Sequence, residues 1–197
     1  MKFNQEKKII LASGSPRRKE YLERYQLNYK IIKPDIDETP IAGEAPDGYA
    51  KRMAKEKVTA INGDIGINEI ALSADTIVVF QERILGKPTS KEDAYQMLAL
   101  LNGQTHSVIT AYALLVKEQN SLTVNAVCTK VTFNDLSEKL LRAYVDSEEP
   151  MDKAGSYSIQ GDGTFLVDTI KGSYNNVVGL PIEQVIQDLL KLNVISL

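Results

Sequence analysis

Soft metal ligands are nearly missing from this chain. Its 197 residues include one cysteine, Cys128, and one histidine, His106. An intramolecular disulfide is therefore excluded. So is a zinc site of Cys/His type, which needs several such ligands. Any required metal would be a hard ion on carboxylates, such as Mg²⁺ or Mn²⁺. Long apolar runs are also lacking: no stretch approaches the ~18 residues of a membrane span, and the apolar run after the first lysines is too short for a signal-peptide core. The expectation is a cytoplasmic chain without membrane contact. Excess charge is absent too. Lys plus Arg total 23 against 26 Asp plus Glu, a net −3. A dedicated nucleic-acid binder carries a clear basic excess, so nucleic acid is not an expected partner. There is no internal repeat, no low-complexity tract and no Gly/Ser linker.

What is present is ordinary for a folded domain. Hydrophobic residues make up 43% and charged residues 25%, and a chain of this length buries about 70% of its unfolded surface. One domain spanning residues 1–197 is expected. Helical and extended segments alternate, with two long β-rich runs, 106–117 and 121–133, close enough to pair as antiparallel strands. The expected class is α/β (α+β) with a mixed sheet. Helices are predicted from Pro16 to about Tyr25, from about Pro46 to Ile61, after Ser90, over 137–146 and over 181–191. Residues 164–170 and 176–179 read as short strand-like pieces. Cys128, on a β-run, reads as core, and His106 as a satisfied structural histidine; neither receives a role.

Three segments carry candidate chemistry. In Ser13-Gly14-Ser15-Pro16-Arg17-Arg18 a strand ends and a helix begins. Ser15 suits the cap and Pro16 the first helical position. The helix N-terminus, two hydroxyls and two guanidiniums suit an anion, although a capped helix with two surface arginines would look the same. In Ser73-Ala74-Asp75-Thr76 a carboxylate interrupts an apolar strand. It must face a cleft or find a partner: a general base, a metal ligand, or a buried aspartate bonded to backbone. Lys87 follows a hairpin turn at 81–83 and could return to the same edge, whereas Lys55 and Lys57 read as a solvated helix face. The third segment, 149–161, is a loop dense in polar side chains and glycine, which fits substrate contact.

Together these segments resemble the Maf family of nucleoside triphosphate pyrophosphatases. The matching stretches are LASGSPRRKEYL at 11–22, ADTIVV with LGKP at 74–88, LNGQTHSVIT at 101–110, and EEPMDKAGSYSIQGDG with GSYNNVVGLP at 148–181. The resemblance implies a mixed sheet in two lobes with a central cleft, similar to the inosine triphosphate pyrophosphatases. It implies hydrolysis between the α- and β-phosphates, a divalent cation, and in many members a homodimer. The family's proton acceptor falls on Asp75, with Lys57 and Lys87 beside it as catalytic cations. Substrate contacts fall on Ser13, Arg17, Arg18, Thr76, Lys153 and Gln160, and the metal on Glu38 together with Asp75. The set Arg17, Thr76 and Gln160 resembles the subgroup acting on dTTP and UTP rather than the sister subgroup that prefers 7-methyl-GTP. A glutamine amide, with one acceptor and two donors, can match a uracil or thymine edge. The family is also linked to arrest of septum formation, so a nucleotide-binding regulator without turnover is the alternative. A base such as Asp75 speaks for turnover, since binding alone needs none.

Overall fold

The computed structural model describes residues 3–197, in six α-helices and nine β-strands among those residues. Two short strands, β1 (Asn4–Gln5) and β9 (Ile195–Ser196), pair antiparallel. The remaining strands are β2 (Lys8–Leu11), β3 (Tyr29–Ile31), β4 (Glu69–Phe80), β5 (Arg83–Leu85), β6 (Thr105–Val116), β7 (Ser121–Phe133) and β8 (Val167–Lys171). They form one seven-stranded sheet in the order β3-β2-β4-β6-β7-β8, with β5 alongside β4. β2 runs parallel to both β3 and β4, whereas β5 on β4 and β8 on β7 are antiparallel. β6 and β7 are hydrogen-bonded neighbours joined by four residues, a connection only an antiparallel pair can use. The mixed sheet expected from the sequence is therefore the sheet observed.

The chain divides into two compact units. One takes the chain up to Asp75 with Thr110–Ala126 and Gly179–Leu197; the other takes Thr76–Ile109 and Val127–Val178. The division falls within β4, β6 and β7.

In the first unit, β2 reads Lys-Ile-Ile-Leu, with Ile9, Ile10 and Leu11 at 1% exposure or less. Burial on both faces explains why the strand is a continuous apolar run and not an alternating one. Helix α1 (Pro16–Arg24) follows. Pro16 opens it because the first helical N–H has no intrahelical partner to lose. Helix α2 (Pro46–Ala60) buries Tyr49, Ala50, Met53, Ala54 and Val58, an i, i+4 stripe. The first half of β4 is buried from Ile70 to Ala74. There the Ser73 hydroxyl donates to the Ala54 carbonyl at 2.5 Å, which removes the cost of burying it. Helix α6 (Ile182–Lys191) buries Ile182, Val185 and Leu189.

In the second unit, Gln81 and Glu82 both have positive φ. That matches a two-residue hairpin turn, and Phe80 faces Arg83 across it. Helix α3 (Lys91–Leu101) starts at Ser90, whose hydroxyl accepts from the Asp93 N–H at 3.1 Å. Its buried positions are Ala94, Leu98 and Leu101. They join Val78, Phe80, Val131, Phe133, Leu141, Tyr144 and Leu166 in one core, to which helix α4 (Glu138–Asp146) contributes. Between α4 and β8 the chain makes three 3₁₀ turns.

Three local expectations are corrected. Residues 174–178 form a short helix, α5 (Tyr174–Val178), rather than a strand. The Ser173 hydroxyl accepts from the Asn176 N–H at 3.0 Å, and the buried Asn176 amide donates to the Val108 carbonyl and to Thr129 Oγ1, each at 3.0 Å. These bonds outweigh the strand preference of Val177 and Val178. Cys128 is exposed, on the outward face of β7, and not in the core. Ser15 occupies the N-cap position of α1, but its side chain makes no capping bond. Among the described residues no helix is long and apolar enough to cross a membrane.

Candidate active site

The first unit assembles five of the residues singled out in the sequence. β2 ends at Leu11, and the Ala12 N–H still pairs with the Leu72 carbonyl at 2.8 Å. The chain then turns through Ser13, which is 6% exposed. Its hydroxyl accepts from the Ser15 N–H at 3.2 Å and from Arg18 Nη1 at 3.0 Å. Arg18 is fixed a second time, donating from Nε to the Gly179 carbonyl at 2.9 Å. Burial pulls the Arg18 guanidinium below its ordinary pKa; the Asp75 charge opposes that shift and Arg17 adds to it. These two bonds fix the guanidinium beside the carboxylates of Asp75 and Glu38, whose charges act on it. Since the Ser15 hydroxyl does not cap α1, the first-turn N–H groups are not spent on it.

Lys57 lies one helix face away in sequence logic but in the middle of the cluster in fact. Its Nζ donates to Asp75 Oδ1 at 2.6 Å and pairs with Glu38 Oε1 at 2.9 Å. The Lys57 and Asp75 side chains are only 11% and 13% exposed, and Glu38 is 58% exposed. Lys57 is thus not a solvated lysine, while Lys55 is. Asp75 is bonded to an ammonium, not buried against backbone N–H groups. That pairing removes most of the penalty of placing a carboxylate in an apolar strand.

The sequence reading missed the residues that hold Glu38 in place. Tyr49 donates its hydroxyl to the Glu38 carbonyl at 2.8 Å. Arg52 grips Glu44 with two bonds of 2.7 Å each and reaches the Thr39 carbonyl at 3.1 Å. Its guanidinium also lies over the Tyr49 ring, 5.4 Å from the centroid. α2 therefore clamps the acidic loop at several points. Burial, reinforced by the charges of Asp75 and Glu38, pushes the Tyr49 hydroxyl up to about 12, so it stays a donor. Arg52 holds the Glu44 carboxyl below its usual range. The one sequence signal was the spacing of Tyr49 and Arg52, one helical turn apart.

The second unit carries Thr76, Lys87, Lys153 and Gln160. Thr76 is half-buried on β4, and Lys87 is exposed just after β5. The Gly155 N–H donates to the Gly86 carbonyl at 3.0 Å, so the segments bearing Lys87 and Lys153 run side by side. Gly155 has φ +66°, and a Cβ there would come within 2.8 Å of the Val78 side chain. Only glycine fits that approach. Lys153 pairs with Asp152 and reaches the Glu149 carbonyl at 3.4 Å. Gln160 is half-buried, and its N–H donates to Ser158 Oγ at 3.1 Å. Arg17, in the first unit, is half-buried on α1.

His106 is 2% exposed and shares a 2.8 Å hydrogen bond from Nε2 with the Tyr157 hydroxyl. Its other nitrogen, Nδ1, is buried without a hydrogen-bond partner. The ring packs edge-on against Phe133 and Tyr157, with centroids 4.9 and 5.3 Å away. Burial, with a smaller push from Lys130, takes its pKa down to about 4. His106 is a neutral structural residue, satisfied at one nitrogen only.

The donor set limits what metal could bind. Among the described residues no three His, Cys, Asp or Glu side chains converge. Two carboxylates, Asp75 and Glu38, do converge on one cationic point, the Lys57 ammonium. That point is taken by the ammonium, so a hard ion held by Glu38 and Asp75 would use their other oxygens and draw its remaining ligands from water and a phosphate chain.

A family model described as Maf-like protein matches residues 8–192. The chain belongs to the Maf family. Two curated relatives agree with that membership. A dTTP/UTP pyrophosphatase of Bacillus anthracis is 45% identical over 188 residues, covering 95% of this chain and 97% of the relative. A dTTP/UTP pyrophosphatase of Bacillus cereus is 44% identical with the same coverage. Among solved structures, the Staphylococcus aureus Ham1 protein aligns at TM-score 0.49 and 13% identity, covering 95% of this Maf chain and all of that one. A nucleoside-triphosphatase, dITP/XTP pyrophosphatase, of Mycobacterium abscessus aligns at TM-score 0.48 and 15% identity, over 94% and 95% of the two chains.

Proposed function

We propose that this Maf protein hydrolyses dTTP and UTP to the monophosphate and pyrophosphate. The observation that carries the reading is the Lys57-bridged carboxylate Asp75 in the same unit as the fixed pair Ser13 and Arg18. A triphosphate needs cations and N–H donors for its charge and a base for the attacking water. This cluster supplies all three.

Lys57 occupies Asp75 Oδ1, so Oδ2 is the oxygen that would meet water. The water oxygen forms a bond to the α-phosphorus as Asp75 takes its proton. The bond from that phosphorus to the oxygen bridging to the β-phosphate breaks, and pyrophosphate leaves with the electron pair. Arg18, Arg17, Lys57 and Lys87 supply positive charge for the phosphoryl group in transfer and for the leaving pyrophosphate. Lys153 adds a further contact to substrate. Glu38 and Asp75 are the residues that would hold Mg²⁺ or Mn²⁺, which when bound neutralises phosphate charge and polarises the phosphoryl group.

Selection of the base falls to Thr76 and Gln160, with Arg17 completing the set. The Gln160 amide can donate to a base carbonyl and accept from N3–H of thymine or uracil; guanine offers the same pair at O6 and N1–H, so its exclusion falls to the larger size of the purine. The compartment this reading requires is the cytoplasm, where the triphosphates are.

The test is pyrophosphate release from dTTP, UTP, CTP, GTP and 7-methyl-GTP by the purified protein. Turnover led by dTTP and UTP is expected. Turnover led by 7-methyl-GTP would place the chain in the sister subgroup, and no turnover of any triphosphate would overturn the enzyme reading.

A further inference from the structure

Residues 158–163 carry Gln160, yet the bonds that fix this stretch come from outside it. Glu149 Oε2 accepts from the Asp162 N–H at 2.9 Å. Its Oε1 accepts from the Gly163 N–H at 3.3 Å and from the Tyr144 hydroxyl at 3.0 Å. That same hydroxyl accepts from the Ser158 N–H at 3.1 Å. One carboxylate and one phenol thus grip the backbone on both sides of Gln160. Gly161 has φ +69°, and a Cβ there would lie 2.8 Å from Glu149 Oε2. The chain passes directly against the carboxylate, and a side chain at this position would force the two apart.

The chemistry suits an anchor. A half-buried Glu149 directs both oxygens to groups of its own unit: two backbone N–H groups and a buried phenol. Charge-assisted bonds of this kind are stronger and more directional than neutral ones. Tyr144 is itself locked, 3% exposed and edge-on to Phe165 with centroids 5.8 Å apart.

We propose that Glu149, working through Tyr144, is the positioning residue for base selection: it sets the path of residues 158–163 and so the placement of the Gln160 amide. This rests on the reading of Gln160 as the base-selecting residue. An amide in place of the carboxylate has one acceptor oxygen, and its NH₂ would face an N–H donor. Glu149→Gln therefore keeps the size and breaks one side of the grip. Tyr144→Phe keeps the ring and removes the hydroxyl that reaches Ser158.

The experiment measures kcat/KM for dTTP, UTP, CTP and GTP, with melting temperatures, on the parent, E149Q, Y144F, Q160A and the double variant E149Q/Q160A. We expect E149Q to lower the preference for dTTP and UTP over CTP and GTP about tenfold, the worth of one well-placed hydrogen bond. Y144F shifts the preference in the same direction. The double variant falls no further than Q160A, because both changes disable one element. A merely structural role would lower the melting temperature and leave the preference unchanged. If E149Q and Y144F keep the parent preference while Q160A loses it, the positioning role is overturned and the role of Gln160 stands. Additive losses in the double variant also overturn it. If Q160A keeps the parent preference, the base-selection reading and this proposal fall together.

Discussion

Lys57 Nζ stands 2.6 Å from Asp75 Oδ1, a contact between α2 and β4 made at 11% and 13% side-chain exposure. The same ammonium meets Glu38 at 2.9 Å. Lys57→Ala removes the ammonium that is ion-paired to both carboxylates. With Asp75 as the base, dTTP turnover should fall about 10- to 150-fold, the cost of losing a charge-assisted bond of about 1.5–3 kcal/mol. Steady-state kinetics with a parallel thermal melt checks this. A variant that melts like the parent and turns over like the parent would remove Lys57 from the site.

The carboxylate pair also predicts a metal dependence. Activity should vanish in EDTA and return with Mg²⁺ or Mn²⁺, and Glu38→Gln should raise the metal concentration needed for half-maximal rate. A readout apart from turnover is binding of Mn²⁺ to the protein with a non-hydrolysable triphosphate, which Glu38→Gln should weaken. Full activity in metal-free buffer would take the ion out of the reaction.

His106 predicts an acid-side loss of stability. Its pKa falls from 6.5 to about 4 on folding, because burial disfavours the imidazolium. Between those values the unfolded chain binds a proton that the native chain does not. Unfolding free energy therefore declines as pH drops through this window, by about 3 kcal/mol in all, and this contribution levels off below pH 4. Denaturant unfolding at pH 7 and pH 4.5 checks it. His106→Gln, which cannot charge, should shrink the drop between the two pH values; an unchanged drop would assign the acid sensitivity to other groups.

Much of this was legible in the sequence, for identifiable reasons. The passage from β2 to α1 showed because Ser-Gly-Ser-Pro punctuates an apolar strand and Pro16 can only begin a helix there. α3 showed because Ala94, Leu98 and Leu101 keep helical spacing behind a Ser90 cap. α5 did not show, since Val177 and Val178 look extended and the turn depends on the distant partners Val108 and Thr129 of Asn176 as well as on the local Ser173 bond. Cys128 read as core because a β-run gives no sign of which face points outward until the sheet is assembled. In the candidate site Asp75 stood out as a charge in an apolar strand. Lys57 stood out only through the family resemblance, because its partners lie 18 and 19 positions away and a lysine on a helix otherwise reads as solvated. Glu149 was also hidden: besides the Tyr144 hydroxyl, its partners are backbone N–H groups at 162 and 163, which have no residue signature.

The central claim is that Asp75 accepts the proton of the attacking water. Asp75→Asn keeps the size and the bond to Lys57 but cannot take up that proton, so the fold should survive. The measurement is single-turnover pyrophosphate release from dTTP by parent and variant, both checked for an unchanged melting temperature. The account predicts a rate lower by about 10²–10⁴, the usual worth of a general base. A folded Asp75→Asn protein that releases pyrophosphate at the parent rate would contradict it.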